Sequence, residues 1–393
     1  MPIDLEKIPP RKSLPDAPNK RYWLLFILVL VSVGTFLISY FSSKGYSSNV
    51  VGFWGGAFAI PLFIGVSCYV VRLRHYENRS NEVTWWNEIH QKIYDEQVMD
   101  GQRAASLLGC AYITPIANNK LAQAVLNFPN PLISSYSSIC QCVQTTAQIT
   151  PPINEPTLEE YQQRLVLLFD KIIRMLQLEL SQIPTNLVVR IRHDGCLSDH
   201  QIQSVWESYP TLSQRTKSLH VFVSDDGFMW LDRWLDKKEE TFVLSIEINL
   251  FLEKRDGESE SISALLLAPE KWVSLQGIPD IAKIHRPTVI NGEHISLLDA
   301  ARWGMLTAKE PYDLWQTQLA ANGQTEILQA MSDAGYLSEM GDSHSIDALF
   351  GNPGKAVGNI SIILASEQAK QCQRPQWVMI EDNVPCQLIV RPR

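Results

Sequence analysis

The sequence predicts an α/β protein: an N-terminal two-helix transmembrane hairpin followed by a layered domain whose sheet is covered by helices. Three observations lead there. Two long uncharged apolar stretches fall within the first 72 residues. From 157 onward, helix-period and strand-period segments alternate. The strands are apolar along their whole length rather than at every second position, the mark of a sheet buried on both faces.

The first stretch, residues 22–41, reads YWLLFILVLVSVGTFLISYF, twenty residues without a charge. At about 1.5 Å per residue this covers about 30 Å, the hydrocarbon thickness of a bilayer. The second, residues 50–71, is VVGFWGGAFAIPLFIGVSCYVV. Pro61 would kink a soluble helix, but a membrane helix accommodates proline when a neighbour satisfies the freed carbonyl. Gly52, Gly55, Gly56 and Ala57 are expected to let the two helices approach closely.

The first apolar core is too long for a cleavable signal peptide and no A-x-A-like site follows it, so it is expected to stay. Lys7, Arg11, Lys12, Lys20 and Arg21 precede it, Arg72, Arg74 and Arg79 follow the second stretch, and only Lys44 lies in the connecting SSKGYSSN. That asymmetry predicts a multi-pass protein of the inner (cytoplasmic) membrane with both termini cytoplasmic. No ionisable residue lies inside either stretch, which points to anchoring rather than an ion pathway. The expected layout is a tail over 1–21, the hairpin over 22–72, a membrane-proximal region or first half of the soluble domain over 73–150, and the α/β domain over 157–393. ITPPINEP, residues 149–156, is the expected linker or boundary.

Between hairpin and linker, HYENRSNEVTWWNEIHQKIYDEQ reads as a helix leaving the membrane, with Trp85 and Trp86 either at the headgroups or in an interface, and SLLGCAYITPI as an apolar, irregular section. The segment 158–180 has apolar residues at Leu165, Leu168, Phe169, Ile172, Ile173 and Leu176, the spacing of an amphipathic helix. NLVVRIR (186–192) reads as a strand, SDHQIQSVWES as a helix capped by Ser198, and HVFVS (220–224) as a strand. A helix over 228–238 and strands over 241–252 and 261–269 follow. Beyond an irregular region come helices over 296–308, 311–334 and 355–369, then the closing strands QWVMIED and CQLIVRP.

Net charge is −8, so there is no basic field to neutralise phosphates, and nucleic acid is excluded as a partner. Seven cysteines, at 68, 110, 140, 142, 196, 372 and 386, are odd in number and irregularly spaced. They read as thiols in a reducing compartment, and Cys140 with Cys142 lacks the second pair a zinc site needs. His193-Asp194-Gly195-Cys196 followed by Ser198-Asp199-His200 has the residue types of a Cys/His catalytic cluster, but also those of a turn leading into a helix cap. GNPGK (351–355) lacks the spacing and the Ser/Thr of a phosphate loop. No cofactor and no metal is expected.

Three stretches from 220 onward resemble the thiolase-like fold of β-ketoacyl synthases. In VSDDGFMWLDRWLDKKEETFVLSIEIN, Ser224 precedes Gly227 where that family has a nucleophilic cysteine at the start of a buried helix. ESESISALLLAP is similar to a packing strand of the family. ALFGNPGKAVGNISIILASEQAK is similar to the motif in which Gly-His precedes a long buried helix, with Asn352 in place of the histidine. The family's other histidine would correspond to His285 in KIHRP or His294 in NGEHIS.

The resemblance thus implies a degenerate site, Ser224, His285 and Asn352, with no catalysis expected: a ketosynthase needs a thiolate and donors for an oxyanion, and Asp225 and Asp226 oppose one. An anchored, degenerate ketosynthase-like body is similar in outline to bacterial proteins encoded beside type VI secretion effectors, among them a lipase adaptor family. What that implies is a non-enzymatic adaptor or accessory protein holding a protein partner, a secreted effector, on the cytoplasmic face, and the family's habit implies a homodimer. Two competing expectations are an acyl-transfer enzyme acting at the membrane, with Ser224 or Cys196 as nucleophile, and an immunity protein against a membrane-targeting toxin.

Overall fold

The computed structural model describes residues 3, 5–42, 50–128, 130–137, 141–153, 156–237, 240–290 and 294–393. The connecting turn with Lys44, Cys140, and Asn154 and Glu155 of the proline-rich stretch lie outside the described residues. Residues 4–97 form one compact unit and 98–393 another, which includes the segments on both sides of 149–156.

In the first unit, α1 (Lys20–Ser42) and the sequence of α2 (Val50–Trp54), a π-helical turn (Gly55–Ala59) and α3 (Ile60–Gly101) supply two helices long and apolar enough to cross a membrane. Pro61 cannot donate to the carbonyl of Ala57, and the Thr35 hydroxyl of α1 donates to that oxygen instead at 3.1 Å. The π-turn shifts the register by bonding Ile60 N–H to the Gly55 carbonyl. Gly34 is what permits the contact: a Cβ there would lie 2.4 Å from Pro61 Cγ. Gly65 beside Ile27 and Gly56 beside Ile38 continue the close approach, whereas Gly55, expected to share it, faces open space.

Past the apolar stretch, α3 continues as one helix, and the N-terminal tail lies against it. Asn87 clamps the Lys12 backbone from both sides, accepting from its N–H at 3.0 Å and donating to its carbonyl at 2.9 Å. The Lys12 ammonium sits 4.2 Å over the Trp86 ring. The tail and residues 86–91 therefore meet at the same end of the helix pair. Trp86 serves this contact, and Trp85 is the more exposed of the two.

In the second unit an 11-stranded mixed sheet is built from two halves of the same plan. The first runs β1 (Ala104–Ile113), α4 (Leu121–Asn127), a separate ribbon of β2 (Ile133–Ser137) and β3 (Cys142–Thr146), α5 (Leu158–Met175), α6 (Gln177–Gln182), β4 (Leu187–Arg192), α7 (Asp199–Glu207), α8 (Pro210–Ser213), β5 (Thr216–Phe222), α9 (Met229–Leu235), β6 (Phe242–Asn249) and β7 (Ser261–Pro269). After α10 (Glu270–Gln276), the second runs β8 (Ala282–His285), β9 (Thr288–Val289), α11 (His294–Trp303), β10 (Tyr312–Thr317), α12 (Ala321–Asp333), β11 (Met340–Ser345), α13 (Ile346–Leu349), α14 (Val357–Cys372), β12 (Gln376–Glu381) and β13 (Pro385–Pro392).

Across the sheet the order is β5-β4-β6-β7-β1 and then β8-β13-β12-β10-β11. Within each half the three outer strands are parallel and the fourth strand is antiparallel to both neighbours. The halves join where β1 runs antiparallel to β8, Ala104 opposite His285. Helix α14 touches β10, β12 and β13 of its own half and β6 and β7 of the other. It is sandwiched between the two halves of the sheet, with α9 and α4 sharing its apolar cluster, while α5, α7 and α10 cover one outer face and α11 and α12 the other.

Two segments depart from the reading of the sequence. SLLGCAYITPI is not irregular: most of it is β1, a central strand whose small residues fit a position crowded from both sides. The stretch 311–334 is not one helix, since 312–317 is the fully buried strand β10 and α12 begins at Ala321. Its two faces pack against different layers, so no period-2 pattern shows; Trp315 Nε1 even donates to Gln376 across the sheet at 2.8 Å.

Candidate functional site

The matched halves place two loops at corresponding points. Each lies between the half's outermost strand and a helix of the middle layer: 223–228 between β5 and α9, and 350–356 between β11, with the short α13 that follows it, and α14. These are the loops of Ser224 and Asn352. Between them the turn linking β12 to β13 contributes Glu381, Asp382 and Asn383, and a groove of about 460 Å³ opens among Asn249, Gln318, Asn352, Lys355, Glu381 and Asp382.

Ser224 is exposed and lies five positions before the first residue of α9. Its hydroxyl accepts a hydrogen bond from Asn383 Nδ2 at 2.6 Å. The flanking carboxylates are held by arginines, Asp225 by Arg190 and Asp226 by Arg233. Burial raises the Asp225 carboxyl above its ordinary range, and Arg190 beside it pulls the other way. The Arg190 guanidinium is stacked 3.9 Å over Trp230, and Arg192 makes a two-point pair with Asp382 at 2.6 and 2.9 Å. The loop is thereby pinned to β4 and to the β12–β13 turn, and the side chain bonded to the Ser224 hydroxyl, the Asn383 amide, has no basic nitrogen to take its proton.

Both places where helix-starting N–H groups would face a ligand are filled by the chain itself. At the first, Phe228 N–H donates to Cys386 Sγ at 3.2 Å. Gly227, at φ +63°, is required because a Cβ would fall 2.6 Å from that sulfur. Burial pushes the Cys386 thiol up to about 12. At the second, Gly354 N–H donates to Asn352 Oδ1 at 2.8 Å, Lys355 N–H to Asn249 Oδ1 at 3.2 Å, and Asn359 N–H to Glu247 Oε2 at 2.7 Å. Gln318 Nε2 donates to Asn352 Oδ1 at 2.6 Å, tying the groove together. Glu247 is buried, which pushes its carboxyl up to about 7 against the pull of Arg192, Asn359 N–H and Arg190.

His285 is not in this group. It pairs with Ala104 on β1, whose neighbour Ala105 is opposite Pro269 at the far end of β7, while Asn352 lies beside Ser259 just before that strand starts. The ten residues from Ser259 to Pro269, at about 3.3 Å each, put roughly 33 Å between them. Burial, with Arg391 and Lys283, pushes the His285 imidazole down to about 4. His294 opens α11, and its side chain lies outside the described residues.

The second candidate nucleophile, Cys196, belongs to a turn. Asp194 accepts from Cys196 N–H at 3.0 Å, from Leu250 N–H at 3.0 Å and from the Tyr161 hydroxyl at 2.5 Å, and Ser198 caps α7 with Gln201. Burial and the Asp194 carboxylate push the Cys196 thiol up to about 11, so it stays protonated near neutrality.

The site residues that the sequence did not signal are Gln318, Asn249, Glu247 and Cys386. Glu247 and Asn249 come from β6, Gln318 from the residue after β10 and Cys386 from β13, and none of them sits in a recognisable motif.

No protein-family model and no curated protein sequence matches the chain. Solved structures do. A complex described as a type II PKS acyl-carrier protein with its ketosynthase, AntDE:AntF, matches at 12% identity over 74% of this chain and 99% of that chain, with a TM-score of 0.52. A β-ketoacyl synthase from Burkholderia phymatum matches at 10% identity over 74% of this chain and 100% of its own, TM-score 0.52. The ketosynthase of module 6 of the bacillaene synthase from Bacillus subtilis matches at 10% over 74% of this chain and 70% of its own, TM-score 0.52. At such identity the likeness is one of architecture: the chain carries a mixed α/β layered, thiolase-like fold.

Proposed function

We propose that this chain is a non-enzymatic, membrane-anchored adaptor or accessory protein whose thiolase-like body binds another protein at the cytoplasmic face. The observation that carries the reading is that Cys386 Sγ at one loop, and Asn352, Asn249 and Glu247 at the other, occupy the N–H groups that an acyl-transfer site would aim at substrate. A hydroxyl without a base and a thiol held protonated leave no activated nucleophile among the candidates.

The arginines and lysines flanking both apolar helices, with the tail meeting α3 at one end of the pair, support cytoplasmic termini in the inner membrane. The partner class that the resemblance suggests is a secreted effector of a type VI system.

Incubating the membrane-embedded chain with an acyl-thioester probe and a fluorophosphonate tests the absence of catalysis: no labelling is expected, and labelling that Ser224→Ala removes would establish the acyl-transfer alternative. Affinity isolation of the full chain from its native host is expected to recover a secreted effector in stoichiometric amount. Recovery of the chain alone would sink the adaptor reading.

A further inference from the structure

In the first unit, two contacts fix the register of the seam between α1 and α3. A Cβ at Gly65 would lie 3.0 Å from Ile27 Cγ1, and the Trp23 and Tyr69 rings meet at 5.7 Å between centroids. From the first contact to the second the chain moves four residues along each helix in opposite directions, as antiparallel helices require. One turn more, three residues along each, brings Lys20 of α1 and Arg72 of α3 to the same level. Both side chains are exposed, and both are cations.

Like charges at one level of a seam repel, and the chain supplies nothing to offset them. Lys92 pairs with Glu96 far along α3, but among the described residues Lys20, Arg21, Arg72 and Arg74 have no ion-pair partner. The acids nearest to them along the chain, Asp16 and Glu77, have none either, and the first turn of α1 holds no acid. These four cations flank the ends of the apolar stretches 22–41 and 50–71, the depth at which a bilayer carries its phosphates. Directly beneath them lie the half-buried Trp23 and Tyr69 and the exposed Leu24 and Val70, so an apolar wall stands under a basic rim.

We propose that Lys20 and Arg72 clasp the phosphate of an anionic phospholipid, whose acyl chains lie against the Trp23–Tyr69 seam, with Arg21 and Arg74 adding to the positive field. A phosphodiester fits because it offers an oxygen to each cation at once, and the arginine fork can take two. Free phosphate would answer the charge but leave the apolar wall unused, so both halves of the site select a lipid. A zwitterionic headgroup would bring a cation of its own to the same place, which disfavours it. The inference rests on the membrane-anchored reading of the helix pair and requires nothing of the adaptor role.

The test uses the full-length chain, delipidated in a neutral detergent, and native mass spectrometry with added phosphatidylglycerol or phosphatidylcholine. The unmodified chain is expected to hold phosphatidylglycerol at least tenfold more tightly than phosphatidylcholine, and excess inorganic phosphate is expected not to displace it. Lys20→Gln with Arg72→Gln is expected to remove the preference, Lys20→Arg with Arg72→Lys to keep it, and Arg79→Gln, two turns further from the apolar stretch, to leave it unchanged. Equal retention of the two lipids, displacement by inorganic phosphate, a preference indifferent to the glutamine pair, or one lost equally with Arg79→Gln would each overturn the proposal. The lipid comparison on the unmodified chain decides the matter even where the glutamine pair does not fold. Alkaline carbonate extraction of native membranes tells the two failures apart: a chain that leaves the membrane sinks the anchored reading and this site with it, whereas one that stays and shows no lipid preference sinks only the site.

Discussion

Glu247→Gln tests the electrostatics at the start of α14 directly. Glu247 is fully enclosed between β4, β6 and α14, and its carboxyl rises from 4.5 to about 7. A carboxyl raised on folding binds its proton more tightly in the native state, so the native state loses stability as pH climbs from the unfolded value through the folded one. A shift of that size corresponds to about 3 kcal/mol, absent below pH 4.5 and complete above about pH 7.5.

Glutamine keeps an oxygen for Asn359 N–H and has no charge to bury. The variant is therefore expected to match the wild type near pH 4.5 and to exceed it by up to about 3 kcal/mol at pH 8, roughly 6 °C in melting temperature for a domain of this size. Melts of the detergent-solubilised chain followed by near-UV circular dichroism across pH 4.5–8 would measure it. A variant less stable than wild type at pH 8 would refute the reasoning, because it would mean that Arg190 and Arg192 need the carboxylate more than burial opposes it.

Other perturbations probe the remaining contacts. Arg192→Met leaves Asp382 facing a nearly buried position without its two-point partner, and is expected to cost about 3–5 kcal/mol in a urea or thermal melt, with Asp382→Asn in the same chain restoring part of it. Gly34→Leu drives a side chain into Pro61 and is expected to abolish disulfide cross-linking between cysteines placed at Ile27 and Gly65, while Thr35→Val, which removes the donor to Ala57, lowers helix-pair stability by only about 0.5–1 kcal/mol. Cys196, held protonated up to about 11, is expected to resist iodoacetamide at pH 8 while the exposed Cys142 reacts, and to become reactive only as pH approaches 11.

Local chemistry was legible where it acts over a few residues. Ser198 caps α7 through its reciprocal bond with Gln201, as its position before an amphipathic run suggested. Strands β6, β7, β12 and β13 stood out because each is a short run of apolar residues with turn signals around it. Strands β1, β10 and β11 did not. β1 is rich in small residues, β10 alternates between two buried layers, and β11 is a polar edge. In each the strand is stabilised by neighbours far along the chain, so the local pattern is overridden.

The candidate site divides the same way. Ser224 and Asn352 were singled out through the resemblance to β-ketoacyl synthases, by the positions they take in its motifs, and the fold brings both to the β12–β13 turn. His285 could be proposed only as one of two histidines in the right part of the chain, and the register of β8 on β1 carries it to the other end of the sheet. Cys386 and Glu247 had no local mark at all, yet they decide what the loops' N–H groups can do.

The sequence by itself determined the two apolar helices and the alternation that makes a covered α/β sheet, since each depends on composition and period within a contiguous stretch. Only the tertiary structure decided the doubling of the fold, the burial of α14 between its halves and the filling of both loops, because strand pairing across more than a hundred residues sets which side chains reach one another.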